Sequence, residues 1–368
     1  MHLDARLDNV SWASVGIDAT MDRHGRDVAL VVAKVAYKVS ALGAARLVLA
    51  PVRRDDLAEE GGGVRFPSDL AADEKPGTDL GLVGVAQPPP RGSGRTSALA
   101  WVSMGALRKV VTVYGPRVYT KGWRGVAPGE PAPLLDPVPL RFDQAYGGTD
   151  PWTSATEPYN PIGVGFSSDP TRLVGRPAPR LEPPPVDAGA PVLGQAPHPC
   201  HGVFAPIPAH WEPRRSLIGT HDAAWAKRRA PVRPRDFEPR HHAWSVPGLH
   251  SATPLLGDEQ LEVGGVLPEG LWRFKLPRYA VTFASVTEGK RATHETHLDS
   301  VFIDADTRVV ELCWRASIRL PRKWEWLERV EVLGAGTLPE DVLRGPRSSE
   351  AAAETGASAL AAARSAQP

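Results

Sequence analysis

HLDSVFIDADTRVVELCWRASIRL, from His297 to Leu320, is the stretch that decides the fold. Two apolar, β-branched runs, HLDSVFID and VVELCWRASIRL, flank the polar connection ADTR, the signature of a β-hairpin. Side chains alternate across a strand, so Val310, Leu312, Trp314, Ala316, Ile318 and Leu320 share one face. Glu311, Cys313, Arg315, Ser317 and Arg319 share the other. That alternation predicts a half-buried antiparallel pair with its polar face toward water.

The same reasoning extends upstream. VALVVAKVAYKV, Val28 to Val39, places Ala29, Val31, Ala33, Val35, Tyr37 and Val39 on one face, with Lys34 and Lys38 marking where the other meets solvent. KVVTVYG, Lys109 to Gly115, reads as a second strand ending at a Gly-Pro turn, and Leu80 to Ala86 as a shorter one. The chain carries 38 prolines and 35 glycines, close to a fifth of its 368 residues, against a usual share of roughly 12%. Such a composition disfavours long helices, while 42% hydrophobic residues suffice for a core. The expected fold is mainly β: antiparallel, sandwich-like sheets with long Pro/Gly-rich loops and few short helices. One short helix is expected at THDAAWAKRR, capped by Thr220. Residues 1–344 are expected to form one large domain, with a potential subdivision near 126–139, and residues 345–368 a small, polar tail without apolar residues to bury.

Composition excludes several functions. Two cysteines, Cys200 and Cys313, are too few for a disulfide framework and fit a reducing compartment. No run of about 18 apolar residues exists, and MHLDARLDNV lacks the character of a signal peptide, so a cytoplasmic location and no membrane partner are expected. A net charge of +1 gives no basic field for nucleic acid. The basic, aromatic run Trp225 to Trp244 is interrupted by prolines and acids. Histidines occur at His198-Pro-Cys200-His201, His241-His242 and His294-Glu-Thr-His297, without the spacings of a zinc site. If extended, the last pair points to opposite faces. No cofactor or metal is expected.

RFDQAYGGTD, Arg141 to Asp150, admits two readings. Asp143 and Asp150 could act as paired carboxylates on a carbohydrate. Alternatively, Gly147 and Gly148 make a turn needing positive φ, tied by side-chain bonds of Asp143, Thr149 and Asp150 to the backbone and anchored by Phe142 and Tyr146. The second reading is preferred. Cys313 reads as an inert thiol on a strand. Of the aromatics beside turns, Trp152, Tyr159, Trp211 and Trp244 are candidate partner contacts, because Trp and Tyr concentrate in interfaces.

PLRFDQAYGGTD, NPIGVGF, WEPRRSLIGTHDAAW, RRAPVRPRDFEPR, LLGDEQLEVGGVLPEGLWRFKLP and HLDSVFIDADTRVVELCWRASI, in this order, resemble the bacterial family known as domain of unknown function two-one-six-nine. DEKPGTDLGLVG and KVVTVYG fit its N-terminal part, so the resemblance covers roughly residues 10 to 320. A local departure lies at 241–260, HHAWSVPGLHSATPLLGDEQ, where the family often carries an Ala-Pro-x-Asp-Gln block. The resemblance implies a non-enzymatic adaptor or chaperone of type VI secretion. Its implied partners are an effector or PAAR protein, VgrG and a pentapeptide-repeat protein, and it supplies no catalytic residues. Two alternatives stay open: a carbohydrate- or cell-wall-acting enzyme or effector, and a structural component of the spike.

Overall fold

A computed structural model describes residues 6–41, 43–59, 62–184, 202–320 and 326–336. The hairpin forms: Leu298–Asp304 pairs antiparallel with Val309–Arg319. Val309–Arg319 in turn pairs along its whole length with Asp27–Val39. On one side Thr78–Val83 joins Leu298–Asp304 in parallel and His250–Ser251 closes the edge. On the other, Ser14–Met21 and Ala45–Val48 both pair with Asp27–Val39, completing a seven-stranded sheet. Leu181–Glu182, Leu107–Tyr114, Ser97–Met104, Gln260–Leu267 and Gly270–Lys275 form a five-stranded sheet. Leu7–Asn9, Leu327–Gly336, Tyr279–Thr287 and Lys290–His294 form a four-stranded one.

The inner face of the seven-stranded sheet is the one its alternation marks as apolar. Ala29, Val31, Ala33, Val35, Tyr37 and Val39, with Val310, Leu312, Trp314, Ala316, Ile318 and Leu320, all belong to one hydrophobic core. Tyr37 meets Phe274 of the five-stranded sheet, ring centroids 6.4 Å apart, and Trp314 meets Tyr279 of the four-stranded sheet at 5.8 Å. All three sheets therefore share that core. The stretch 126–139 also contributes to it through buried Leu134 and Val138.

The outer face departs from expectation. Lys34 is 1% exposed, and Glu311, Cys313 and Arg315 are buried as well, so the hairpin is covered on both faces, not half-buried. Loops supply the cover. Val52 and Leu70 pack on Leu30 and Val32, while Phe66 and Trp244 lie against Phe302. A polar strand face is thus compatible with burial when each charge finds a partner.

Among the described residues the single α-helix is Ala223–Arg228. Its cap is Asp222, whose carboxylate accepts from the Trp225 amide at 2.7 Å, and not Thr220, which instead bonds Asp236. The geometry favours Asp222 because it lies three residues before the amide it caps. Cys200, the 198–201 histidines and the 345–368 tail lie outside the described residues.

Candidate functional site

Three places concentrate side chains able to do chemistry or recognition. The first is the outer face of the seven-stranded sheet. Cross-strand register aligns Asp79, Ser300, Cys313 and Lys34 in one row, and Gly81, Phe302, Glu311 and Ala36 in the next. Lys34 pairs with Asp69 and, at 3.4 Å, with Glu311, which also takes Arg53 at 2.5 Å. A register shift between Leu298 and Ser300 brings Asp299 to Arg315, and Arg315 further donates to the carbonyls of Ala72 and Asp69.

Asp79 is the hub at the edge of this layer. Its carboxylate accepts from the Trp244 amide and His250 Nδ1, both at 2.9 Å, and from Ser245 Oγ at 2.6 Å, with Lys75 Nζ also 2.9 Å away. Burial alone would raise its pKa, but the Lys75 ammonium and the His250 and Ser245 bonds outweigh it and hold the carboxyl well below the usual range. The Trp244 indole then covers Gly81, where a Cβ would sit 2.5 Å from the ring. Arg53 on Glu311, Lys34 on Asp69, the Trp244 amide and Ser245 on Asp79, and Arg315 on the Ala72 and Asp69 carbonyls all join a covering loop to a strand, so the layer fastens loops to sheet. Cys313 fits the same role: burial pushes its thiol well up, away from nucleophilic character.

The second place is the 141–168 loop. Gly147 and Gly148 both hold positive φ, 149° and 106°. A Cβ on Gly147 would meet the Asn160 carbonyl oxygen at 2.2 Å. Asp150 is wholly buried and accepts from the amides of Ser168 at 2.7 Å and Trp152 at 2.9 Å and from Ser167 Oγ at 3.2 Å. The Ser168 amide bond, foremost, keeps its carboxyl well below the usual range. Asp143 and Thr149 differ from the expected bonds to backbone. Asp143 pairs with the Arg141 guanidinium at 2.7 Å, and Thr149 shares a hydroxyl bond with Thr156 at 3.0 Å. Phe142 anchors the loop edge-on against Trp211, centroids 5.1 Å apart, while Tyr146 is half-buried.

Sequence reasoning missed Asn160. It is fully buried, and its Nδ2 donates to the carbonyls of Phe142 at 2.8 Å and Tyr146 at 2.9 Å, closing the loop from inside. Its signal was the Asn-Pro-Ile-Gly string beginning at position 160, an Asx residue at a turn.

The third place is exposed. Of the four aromatic contact candidates, Trp211 and Trp244 are only 4% and 6% exposed, which places both in the core and off the accessible surface, and Tyr159 is half-buried. Their large ring area anchors Pro-rich loops that lack ladder bonds. Trp152 is 46% exposed, with the Arg172 and Arg176 guanidiniums 5.2 and 5.6 Å from its ring. Trp123, absent from the contact candidates, is 89% exposed at the tip of the hairpin Tyr119–Gly122 and Gly125–Pro128. That hairpin packs against the segment holding Arg172.

Among the described residues, no group of three or more His, Cys, Asp and Glu could hold a metal ion. His294 instead bonds Ser285 Oγ at 2.8 Å. No helix among them is long and apolar enough to cross a membrane.

The sequence model of the DUF2169 family, described as an uncharacterized protein conserved in bacteria, matches residues 24–315. The chain belongs to this family. Neither the curated proteins nor the solved structures yielded a match. The DUF2169 match contains the central strands, the outer-face charge layer, the 141–168 loop and the exposed Trp123 and Trp152, and it ends before the strand Leu327–Gly336.

Proposed function

We propose that this DUF2169 protein is a non-enzymatic adaptor of type VI secretion, working in the cytoplasm. In this reading it holds an effector or its PAAR region, stabilises it, and helps load it onto a VgrG spike, alone or with a pentapeptide-repeat protein. The observation that carries the reading is the exposed Trp123 and Trp152, set among arginines, on a molecule whose other large charge cluster is internally matched. Tryptophan and arginine are the side chains that most often dominate binding energy at protein interfaces.

The enzymatic alternative draws less support from the loop that suggested it. A general acid or base needs an accessible carboxyl within reach of substrate. Asp150 is buried under three donors, and Asp143 is held by Arg141.

Affinity capture of the tagged protein from its host, under conditions where the secretion system is expressed, tests the adaptor reading. Expected is recovery of a VgrG or PAAR-type protein with a toxin-like client whose level falls when the adaptor is deleted. Recovery of neither, or toxicity of the protein expressed alone, would overturn it.

A further inference from the structure

Two segments of this nearly neutral chain contain cations and no carboxylate. Residues 116–128 hold Arg117, Lys121 and Arg124, and residues 170–181 hold Arg172, Arg176 and Arg180. The fold lays the two side by side. The Tyr119 amide donates to the Arg176 carbonyl at 2.9 Å, the Gly175 amide to the Tyr119 carbonyl at 2.9 Å, and the Ala178 amide to the Arg117 carbonyl at 3.0 Å. Apolar side chains accompany the charges: Val118 and Val174 are each 46% exposed, beside Trp123 and Trp152. Between the segments runs an open groove of about 520 Å³, floored by Val118, Pro131, Ala132, Pro177 and Ala178.

The carboxylates that approach this face are few and mostly engaged. Glu182 pairs with Arg117 at 2.5 Å, Asp169 with Arg172 at 3.4 Å, and Glu130 stands at the groove. Lys121, Arg124 and Arg176 make no ion pair among the described residues. The Arg124 guanidinium lies 4.4 Å from the Trp123 ring centroid, so it is stacked yet keeps its N–H donors free for an anion.

We infer that this face is the docking site for an extended acidic segment of a partner protein, with aliphatic or proline side chains in the groove and carboxylates on Lys121, Arg124 and Arg176. The inference rests on the adaptor reading and specifies which client chemistry it takes. Charge complementarity selects the occupant, since a predominantly cationic face attracts and orients the opposite sign. An acidic polypeptide suits it better than a nucleic acid. The floor is aliphatic and proline-built, which matches the side chains of an extended peptide.

Fluorescence anisotropy tests it with three labelled probes: a dodecapeptide of repeated Glu-Val-Pro, its Lys-Val-Pro counterpart, and a single-stranded thymidine dodecamer. Expected is saturable binding of the glutamate peptide at least tenfold tighter than either comparison, weakened by 0.5 M salt as screened charges require. Trp123→Ala with Arg176→Glu should lower that affinity tenfold or more at an unchanged melting temperature. No binding by the folded protein, equal binding by the variant, or tighter binding of the thymidine strand would overturn the inference. So would concentration-dependent dimers that Trp123→Ala abolishes, since the occupant would then be a second copy. Capture from the host separates the two readings. If the double variant retains the client as well as wild type does, this face is overturned and the adaptor reading stands. If the peptide binds as expected but capture recovers no secretion partner, the adaptor reading falls and the acidic-segment site remains.

Discussion

The outer face of the seven-stranded sheet and the Trp123–Trp152 surface are built from similar side chains arranged in opposite ways. On the sheet, Lys34, Arg53, Lys75 and Arg315 are each set against Asp69, Glu311, Asp79 or Asp299, beneath loops that exclude water. On the hairpin surface, Lys121, Arg124 and Arg176 stand in solvent without such partners. The first arrangement joins parts of one chain. The second has its complement elsewhere. Burial costs a charge its hydration, so a buried cation persists only with its anion in place, whereas an exposed cation pays almost nothing to wait. The difference lies in what covers the charges, not in which charges the sequence contains.

The sharpest way to break the comparison is to unpair the buried layer. Replacing Arg315 by Met leaves the Asp299 carboxyl wholly buried without its guanidinium partner, and removes donors to the Ala72 and Asp69 carbonyls. Breaking one half of a buried pair costs about 3–5 kcal/mol. Urea unfolding should show that loss, and Arg315→Met combined with Asp299→Leu should recover most of it. An Arg315→Met protein with an unchanged midpoint would mean that the layer does not fasten its loops.

A smaller effect is expected at Gly147, whose φ of 149° and contact with Asn160 leave no room for a side chain. Gly147→Val forces either the backbone or Asn160 to move, at about 1–3 kcal/mol for the strained backbone alone. The melting temperature should fall, while Gly92→Ala, at a position with nothing within 4 Å, should cost less. Equal melting temperatures for Gly147→Val and wild type would sink the account of the turn.

The inner face was legible because period-two alternation needs only one strand to be read: each apolar residue assigned to that side of Val28–Val39 and of Val309–Leu320 entered the core. The outer face was not. Lys34 and Glu311 look like solvent markers in any single strand, and their burial depends on Arg53 and Asp69, supplied by a segment that follows the strand Ala45–Val48 and lies far from the hairpin in sequence. Local pattern carries no information about such long-range cover. The aromatics fail for a related reason. Trp152 and Trp211 both sit among prolines, and only tertiary packing separates the one stacked under arginines at the surface from the one against Phe142. The Gly147-Gly148 turn was readable because backbone conformation is a local property.

Acid should separate the two regions further. Burial, with Arg233 nearby, pushes His242 down to about 2, so the folded protein holds it neutral in its covering loop, 3.6 Å from Asp73. An unfolded histidine titrates near 6.5. Between those values the unfolded chain binds the extra proton, so stability is fully present above about 6.5 and declines as pH falls, by ~1.4 kcal/mol per pH unit for one proton. His242→Phe, which suits the ring contact with Phe237, should flatten the slope of unfolding free energy between pH 6 and 4.5 by about one proton. His241 and His294, both also lowered by burial, should account for part of what remains. An unchanged slope would show that His242 is not held neutral.

The smallest expected effect on stability falls on the most exposed tryptophan among the described residues. Trp123 is 89% exposed at a hairpin tip, where its neighbour Arg124 is its stacking partner. Surface substitutions without a buried role stay within about 0.5 kcal/mol, so Trp123→Ala should leave the urea midpoint and melting temperature where they were. That outcome gives the comparison its content. A large aromatic contributing nothing to folding while occupying solvent is explained by a second molecule, in contrast to Trp244, whose indole covers Gly81 and whose amide holds Asp79. Trp244→Ala should destabilise by about 3–5 kcal/mol. If Trp123→Ala destabilised comparably, Trp123 would be a structural residue of the hairpin and the contrast between a layer closed on itself and a face open to a partner would lose its main support.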